Sequence, residues 1–269
     1  MEIALIIIAS VLVVLFIIYN ILVAPTSNKD IQKFASVKFA HRGLHNSERA
    51  ENSMSAFAAA VDAGYGIELD IRLSGDGNLV VFHDDTLDRV CGREGRVDAF
   101  VADELAGMKL SGTDDGIPTF REVLDLVDGK VPLLVEIKED AGKYDVSNAA
   151  AEMLKDYHGP YIVESFNPLS LGNFKKKLPK VARGILSQRY LREKKYRKPL
   201  YLLLQLLLFN RICSPAFVAY KHTDAKAISL KTARMLGAVT FAWTVRSPEE
   251  EAAAKRAGFD SVIFENYLA

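Results

Sequence analysis

Glu68-Leu69-Asp70 sets two carboxylates two residues apart within the run Ile67–Leu73. In a strand, that spacing puts both acids on one face and Leu69 and Ile71 on the other. The run Leu133–Lys138 repeats the pattern, with Glu136 and Lys138 alternating with Val135 and Ile137. Carboxylates on an inward face are costly unless they are paired or bound to a cation. Glu68, Asp70 and Glu136, with no cysteine nearby, form an all-oxygen donor set for a hard cation, Mg2+ or Ca2+. The competing use of these acids is a buried ion-pair network with Arg42, Arg72 and Lys138, but three acids at adjacent strand ends exceed what scaffolding requires. His41 and His83 end two further apolar runs. Imidazole titrates near neutrality, so this pair are candidates for general acid and base. Arg42 offers a planar fork for phosphate oxygens and Lys138 a point charge. A divalent metal, two imidazoles, an arginine and a lysine together describe phosphodiester chemistry.

Elements must exist to bring these residues together. Strand-like runs occur at Lys38–Arg42, Ile67–Leu73, Leu133–Lys138, Tyr161–Phe166, Ala182–Ser187, Phe217–His222, Thr240–Val245 and Ser261–Phe264. Helix-length stretches lie between most of them, at Ser53–Ala63, Thr119–Val127, Val146–Tyr157, Leu169–Lys177, Ala225–Leu236 and Pro248–Ala257. Strand–helix alternation with Gly64, Gly129, Gly237 and Gly258 closing helices predicts parallel βα units. Eight such units predict an α/β fold, a (β/α)8 barrel, which places working side chains at the C-terminal ends of its strands. Leu79–His83 does not fit the count. It follows Ile67–Leu73 across a tight Ser74–Asn78 turn and reads as a hairpin arm. Residues 85–117 then read as an irregular insertion.

In sequence order the chain carries His41-Arg42-Gly43, Glu51-Asn52, Glu68-Leu69-Asp70, Gly75-Asp76-Gly77, His83-Asp84, Thr86-Leu87-Asp88-Arg89, Ile117-Pro118-Thr119, Glu136-Ile137-Lys138, Ser165-Phe166 and Trp243-Thr244-Val245. This set resembles the glycerophosphodiester phosphodiesterases over about residues 38–266, and it is specific as a set rather than motif by motif. The resemblance implies a TIM barrel that hydrolyses a glycerophosphodiester to glycerol 3-phosphate and an alcohol. It implies metal binding by Glu68, Asp70 and Glu136, acid/base roles for His41 and His83, phosphate contacts from Arg42 and Lys138, and a pocket wall at Trp243. Two positions depart from the family pattern: Ala50 stands where a proline is usual, and Phe264-Glu265-Asn266 where a Thr-Asp pair is usual. His45, His158 and His222 receive no role.

The chain has 269 residues, 34 basic and 34 acidic, for a net charge of zero. A neutral chain is not a general nucleic-acid binder, and no nucleic-acid partner is expected. Cys91 and Cys213 alone exclude a disulfide-stapled scaffold. The zero hides an asymmetry, because residues 168–211 hold 12 basic side chains and one acid, Glu193. Residues 3–24 are almost wholly apolar. As a helix they span about 33 Å, enough to cross a bilayer core of about 30 Å. With no Lys or Arg before this stretch, an uncleaved anchor is the expected reading rather than a signal peptide. The expected organisation is therefore an anchor and the start of a polar linker (Pro25–Gln32) over residues 1–28, and the barrel domain over 29–269. Lys29, Lys33 and Lys38 after the anchor predict a single-pass protein of the cell membrane with a cytoplasmic barrel. Residues 189–215 combine basic residues with a leucine run too short to span, and read as a membrane-interfacial insertion. Lysophospholipids then join soluble glycerophosphodiesters as expected substrates. The rival readings are a related barrel phosphodiesterase of the phospholipase C or D type, and a membrane-tethered lipid-binding barrel without catalysis.

Overall fold

The computed structural model describes residues 1–140 and 142–269. Its strands are β1 (Phe39–His41), β2 (Gly66–Leu73), β3 (Leu79–Val81), β4 (Leu133–Ile137), β5 (Tyr161–Ser165), β6 (Arg183–Ser187), β7 (Phe217–Lys221), β8 (Val239–Val245) and β9 (Ser261–Phe264). The parallel order runs β1-β9-β8-β7-β6-β5-β4-β2, and β1 pairs with β2 to close a TIM barrel of eight strands. β3 adds to β2 antiparallel, as the hairpin arm expected from the Ser74–Asn78 turn.

The outer layer contains α2 (Met54–Asp62), α5 (Phe120–Val127), α6 (Asp145–Leu154), α7 (Pro168–Lys177), α10 (Ile228–Met235) and α11 (Pro248–Arg256). The first two begin at Ser53 and Thr119, whose hydroxyls accept from the amides of Ala56 and Glu122 and so satisfy donors the first turn leaves free. Alternation along the strands explains the interior. Phe39, Leu134, Ile162, Phe217, Phe241 and Ile263 form one buried cluster inside the barrel, while Ile67, Leu69, Ile71, Val135 and Ile137 pack outward against the helices. Two residues further along the inward rows come His41, Glu136, Glu164, Trp243 and Glu265. The barrel is thus apolar below and ionisable at its C-terminal mouth. Gly184 on β6 leaves room for the Phe217 ring, since a Cβ there would lie 2.0 Å from it.

Three segments depart from a plain barrel. Residues 85–117 carry two short helices, α3 (Asp88–Cys91) and α4 (Ala102–Ala106), over a separate core of Val80, Phe82, Leu87, Leu105 and Leu110. The linker is more ordered than its polarity predicts. A 3-10 turn at Lys29–Lys33, capped by Asn28, buries Ile31 and, with Phe34, joins the interior cluster of Phe39 and Phe217. In the insertion, Leu200–Phe209 is not one helix. It breaks into α8 (Pro199–Gln205) and α9 (Asn210–Cys213) at Leu207, which takes a φ of +60° and turns into the core.

The apolar segment forms α1 (Glu2–Val23), exposed along most of its length. Among the described residues, its contacts with the barrel domain come from its C-terminal end, from Tyr19 onward. Val23 is fully buried, its carbonyl accepts from Asn210 Nδ2 at 2.8 Å, and the Thr26 amide donates to the Pro215 carbonyl at 2.7 Å.

Candidate active site

The turn after β1 begins the site. Arg42 and Gly43 both have positive φ, +56° and +81°. A Cβ at Gly43 would press into the Ala56 backbone at 2.8 Å, which is why glycine stands there. Arg42 holds a left-handed conformation that costs of order 1–3 kcal/mol in a non-glycine residue, so the surrounding contacts must enforce it. They do. The Arg42 amide donates to Glu68 Oε2 at 3.0 Å, and its carbonyl accepts from the Asn52 amide at 3.0 Å. Asn52, also at positive φ, donates from Nδ2 to Asp70 Oδ2 at 2.9 Å. The Arg42 guanidinium donates to Glu51 at 2.6 Å, and Arg89 donates to both oxygens of Glu51, at 2.6 and 2.9 Å.

Strand register gathers the acids. His41 pairs with Glu68 across β1 and β2, Asp70 with Glu136 across β2 and β4, and Glu136 with Glu164 across β4 and β5. Glu68, Asp70 and Glu136 each offer an oxygen within 4.8 Å of the others, and all three are buried. Lys138 Nζ reaches Asp70 at 3.1 Å and Glu136 at 2.8 Å. Arg72, which the ion-pair reading placed with these acids, turns away to Asp85.

Four buried carboxylates face two cations, Arg42 and Lys138, and the imbalance is resolved by protonation. Burial, together with the charges of Asp70 and Glu136, raises Glu68 well above the ordinary carboxylate range. Burial raises Glu136 to about 7 and Glu164 well above its usual value. Asp70 goes the other way: burial alone would raise it, but Lys138 and Arg42 outweigh burial and hold it well below the usual range. Glu164 Oε2 is buried with no hydrogen-bond partner among the described residues. A crowded, all-oxygen, charge-deficient set of this kind fits a hard divalent cation.

The two histidines are held alike. His41 Nδ1 lies 2.6 Å from Glu265 Oε2, and His83 Nδ1 lies 2.5 Å from Asp84 Oδ1. A carboxylate partner fixes the proton on Nδ1 and leaves Nε2 for chemistry. Burial lowers both, His83 to about 4, so both rings are neutral in the metal-free protein. His41 Nε2 stands 4.0 Å from Glu68.

His41, Arg42, Glu68, His83, Glu136, Lys138 and Trp243 line one cavity of ≈ 160 Å3 at the barrel mouth. Asp70 lies beneath it, through its contacts to Arg42 and Lys138. The eight residues expected to form the site thus converge here. Trp243 is a wall residue, packed edge-on against Phe166 with ring centroids 5.5 Å apart. Sequence reasoning missed Glu265 and left Glu164 and Asn52 without roles. The signal was present in the first two cases, because Ile263–Glu265 and Ile162–Glu164 continue the inward rows of β9 and β5. His45 also borders Glu265, at 3.6 Å, and His222 faces Glu250 at the same distance.

A sequence profile of the Glycerophosphoryl diester phosphodiesterase family matches residues 41–268. The chain belongs to that family. It is thereby a phosphoric diester hydrolase. A glycerophosphodiester phosphodiesterase of Caldanaerobacter subterraneus subsp. tengcongensis is 32% identical over 235 residues, covering 83% of this chain and 91% of the relative. Among solved structures, an Oleispira antarctica phosphodiesterase in complex with the product sn-glycerol-3-phosphate shares the fold. Its TM-score is 0.73 at 23% identity, over 87% of this chain and 94% of that one. A glycerophosphodiester phosphodiesterase of Thermotoga maritima superposes with a TM-score of 0.65 at 28% identity, over 85% of this chain and 94% of its own. This glycerophosphodiester phosphodiesterase fold carries the site at the mouth its strand ends define.

Proposed function

We propose that the chain hydrolyses glycerophosphodiesters to glycerol 3-phosphate and an alcohol, in a metal-dependent reaction driven by His41 and His83. The observation that carries this reading is the convergence of three carboxylates, two carboxylate-held imidazoles, Arg42 and Lys138 on a single cavity of ≈ 160 Å3. Glu68, Asp70 and Glu136 are the metal ligands. A divalent ion held there, Mg2+ or Ca2+, supplies Lewis-acid stabilisation of charge on the phosphoryl oxygens.

Arg42 and Lys138 bind and orient the phosphate, while Phe166 and Trp243 exclude water from one side. Both imidazoles rest neutral, so either can begin by accepting a proton at Nε2. One takes the proton of the attacking hydroxyl; the other must first gain a proton at Nε2, and in that imidazolium form it delivers the proton to the departing alcohol. Glu265 and Asp84 hold the rings with Nε2 directed to the work.

In this reading α1 is a single-pass membrane anchor, residues 29–269 are the catalytic domain on the cytoplasmic side, and residues 189–215 lie at the lipid surface. Substrates then extend from soluble glycerophosphodiesters to lysophospholipids. The test of the site is substitution of one member from each group. His41→Ala and Glu68→Ala should each abolish metal-dependent release of glycerol 3-phosphate, and unchanged turnover in either variant refutes the assignment.

A further inference from the structure

Beside the catalytic cavity lies a larger one, of ≈ 670 Å3. The two share His83, Phe166 and Trp243, so they are continuous at the reacting end. Their chemistry differs. The second cavity is walled by Tyr190, Tyr196, Tyr201, Leu200, Leu204 and Phe209, all from the 189–215 insertion. The wall is built rather than incidental. The three tyrosine rings pack on one another with centroids 4.7–5.6 Å apart. Buried Asp224, beside β7, clamps the insertion by accepting from the Arg189 amide at 2.8 Å and the Arg192 guanidinium at 2.6 Å. An apolar cavity opening from a charged one asks for a ligand with a phosphodiester at one end and a hydrocarbon chain at the other. At about 30 Å3 for a water-sized group, its volume suits one chain rather than two.

The insertion also reaches the apolar helix. Phe209 lines the cavity, and its neighbour Asn210 donates to the last carbonyl of α1 at 2.8 Å. The cavity is therefore walled by the segment that holds the most hydrophobic element of the chain, where a single-chain amphiphile would be found.

We infer that this cavity is an acyl-chain site, and that the substrate class it selects is the monoacyl glycerophosphodiesters, that is, lysophospholipids. The inference rests on the catalytic reading above and deepens it. Hydrolysis breaks the bond between phosphorus and the head-group oxygen. Water supplies the new phosphorus–oxygen bond and the proton on the released alcohol, leaving a monoacylglycerol 3-phosphate.

The experiment uses the full chain in nanodiscs and follows choline release, so one product reports every substrate. Glycerophosphocholine is compared with lysophosphatidylcholines from hexanoyl to tetradecanoyl. Values of kcat/KM should climb with chain length, by up to about fourfold per methylene, until the cavity is filled. Leu200→Glu, at a half-exposed position on the wall, should flatten that climb, whereas bilayer partitioning alone would leave it intact. A second measurement needs no variant. Trp243 is the only tryptophan, and with chelator present a lysophosphatidylcholine brominated along its chain should quench its emission while glycerophosphocholine should not. Glycerophosphocholine turnover with no chain-length dependence, an unflattened climb in Leu200→Glu, or unquenched Trp243 overturns the acyl site and leaves the catalytic reading standing. Failure to hydrolyse any of these substrates overturns the catalytic reading, and the acyl site with it.

Discussion

Glu265 Oε2 lies 2.6 Å from Nδ1 of His41, and so ties the last strand of the barrel to the first. The hydrogen bond raises the His41 pKa against the stronger downward pull of burial. The same contact, with those to His45 and Arg246, holds the Glu265 carboxyl far below its usual range, against the upward push of its own partial burial. Glu265→Gln should therefore lower kcat more than it raises KM. The loss should be roughly 10- to 100-fold, smaller than the roughly 10²–10⁴ that loss of the imidazole forfeits. It should also move the His41 limb of the pH–rate profile to lower pH, because the contact that raises His41 is weakened. A kcat loss without movement of that limb would make Glu265 a packing residue only.

Metal binding should grow tighter as pH rises. In the metal-free protein Glu136 keeps its proton up to about 7, and Glu68 is also raised. A group whose folded pKa is raised contributes stability below its unfolded value and loses it as pH climbs through the folded value. Metal-free protein should accordingly weaken as pH climbs toward 7, and a bound ion that displaces those protons should restore it. Differential scanning fluorimetry with Mg2+ or Ca2+ should show a thermal shift that increases from about pH 6 to about pH 8. A shift that shrinks with pH contradicts the carboxylate ligand set.

Gly184→Ala should destabilise the fold without touching the site. The added methyl would meet the Phe217 ring at 2.0 Å in the packed interior. Overpacking of this kind costs about 1–3 kcal/mol. The check is a lowered Tm with the metal-induced shift retained.

The barrel domain should retain lipid affinity of its own. Residues 168–211 hold 12 basic side chains against one acid, and Leu191, Leu202 and Leu203 are exposed among them. The cut that tests this belongs before Tyr19, because Val23 is buried and its carbonyl is held by Asn210. A chain lacking residues 1–18 should bind anionic vesicles at low salt and release them at about 1 M salt, where the Debye length falls to about 3 Å. Indifference to anionic vesicles at low salt contradicts the interfacial reading.

The barrel was legible because its strands repeat a period of two, and most of them end the inward row in an ionisable residue. Leu134-Val135-Glu136 and Phe39-Ala40-His41 are read directly in this way. Ile263-Phe264-Glu265 obeys the same rule, yet comparison with the family's usual Thr-Asp drew attention away from it. Asn52 was legible only as part of a motif. Its contact with Asp70 depends on a left-handed backbone that no residue-type pattern announces. The acyl cavity was not legible at all. Leu200, Tyr201 and Leu204 share one face of α8, but Tyr190, Tyr196 and Phe209 join them from turns outside that helix, and the leucine run sends its residues in three directions: into the cavity, into the core at Leu207 and outward.

The central claim is that buried oxygens of Glu68, Asp70 and Glu136 hold a metal ion for diester hydrolysis at this mouth. The most direct measurement is glycerol 3-phosphate release from glycerophosphocholine by the purified full chain, with Mg2+, with Ca2+ and with chelator. Release with at least one of the two ions, abolished by chelator and restored by adding that ion back, is the predicted result. Release that persists undiminished in chelator, or no release with either ion, would contradict it.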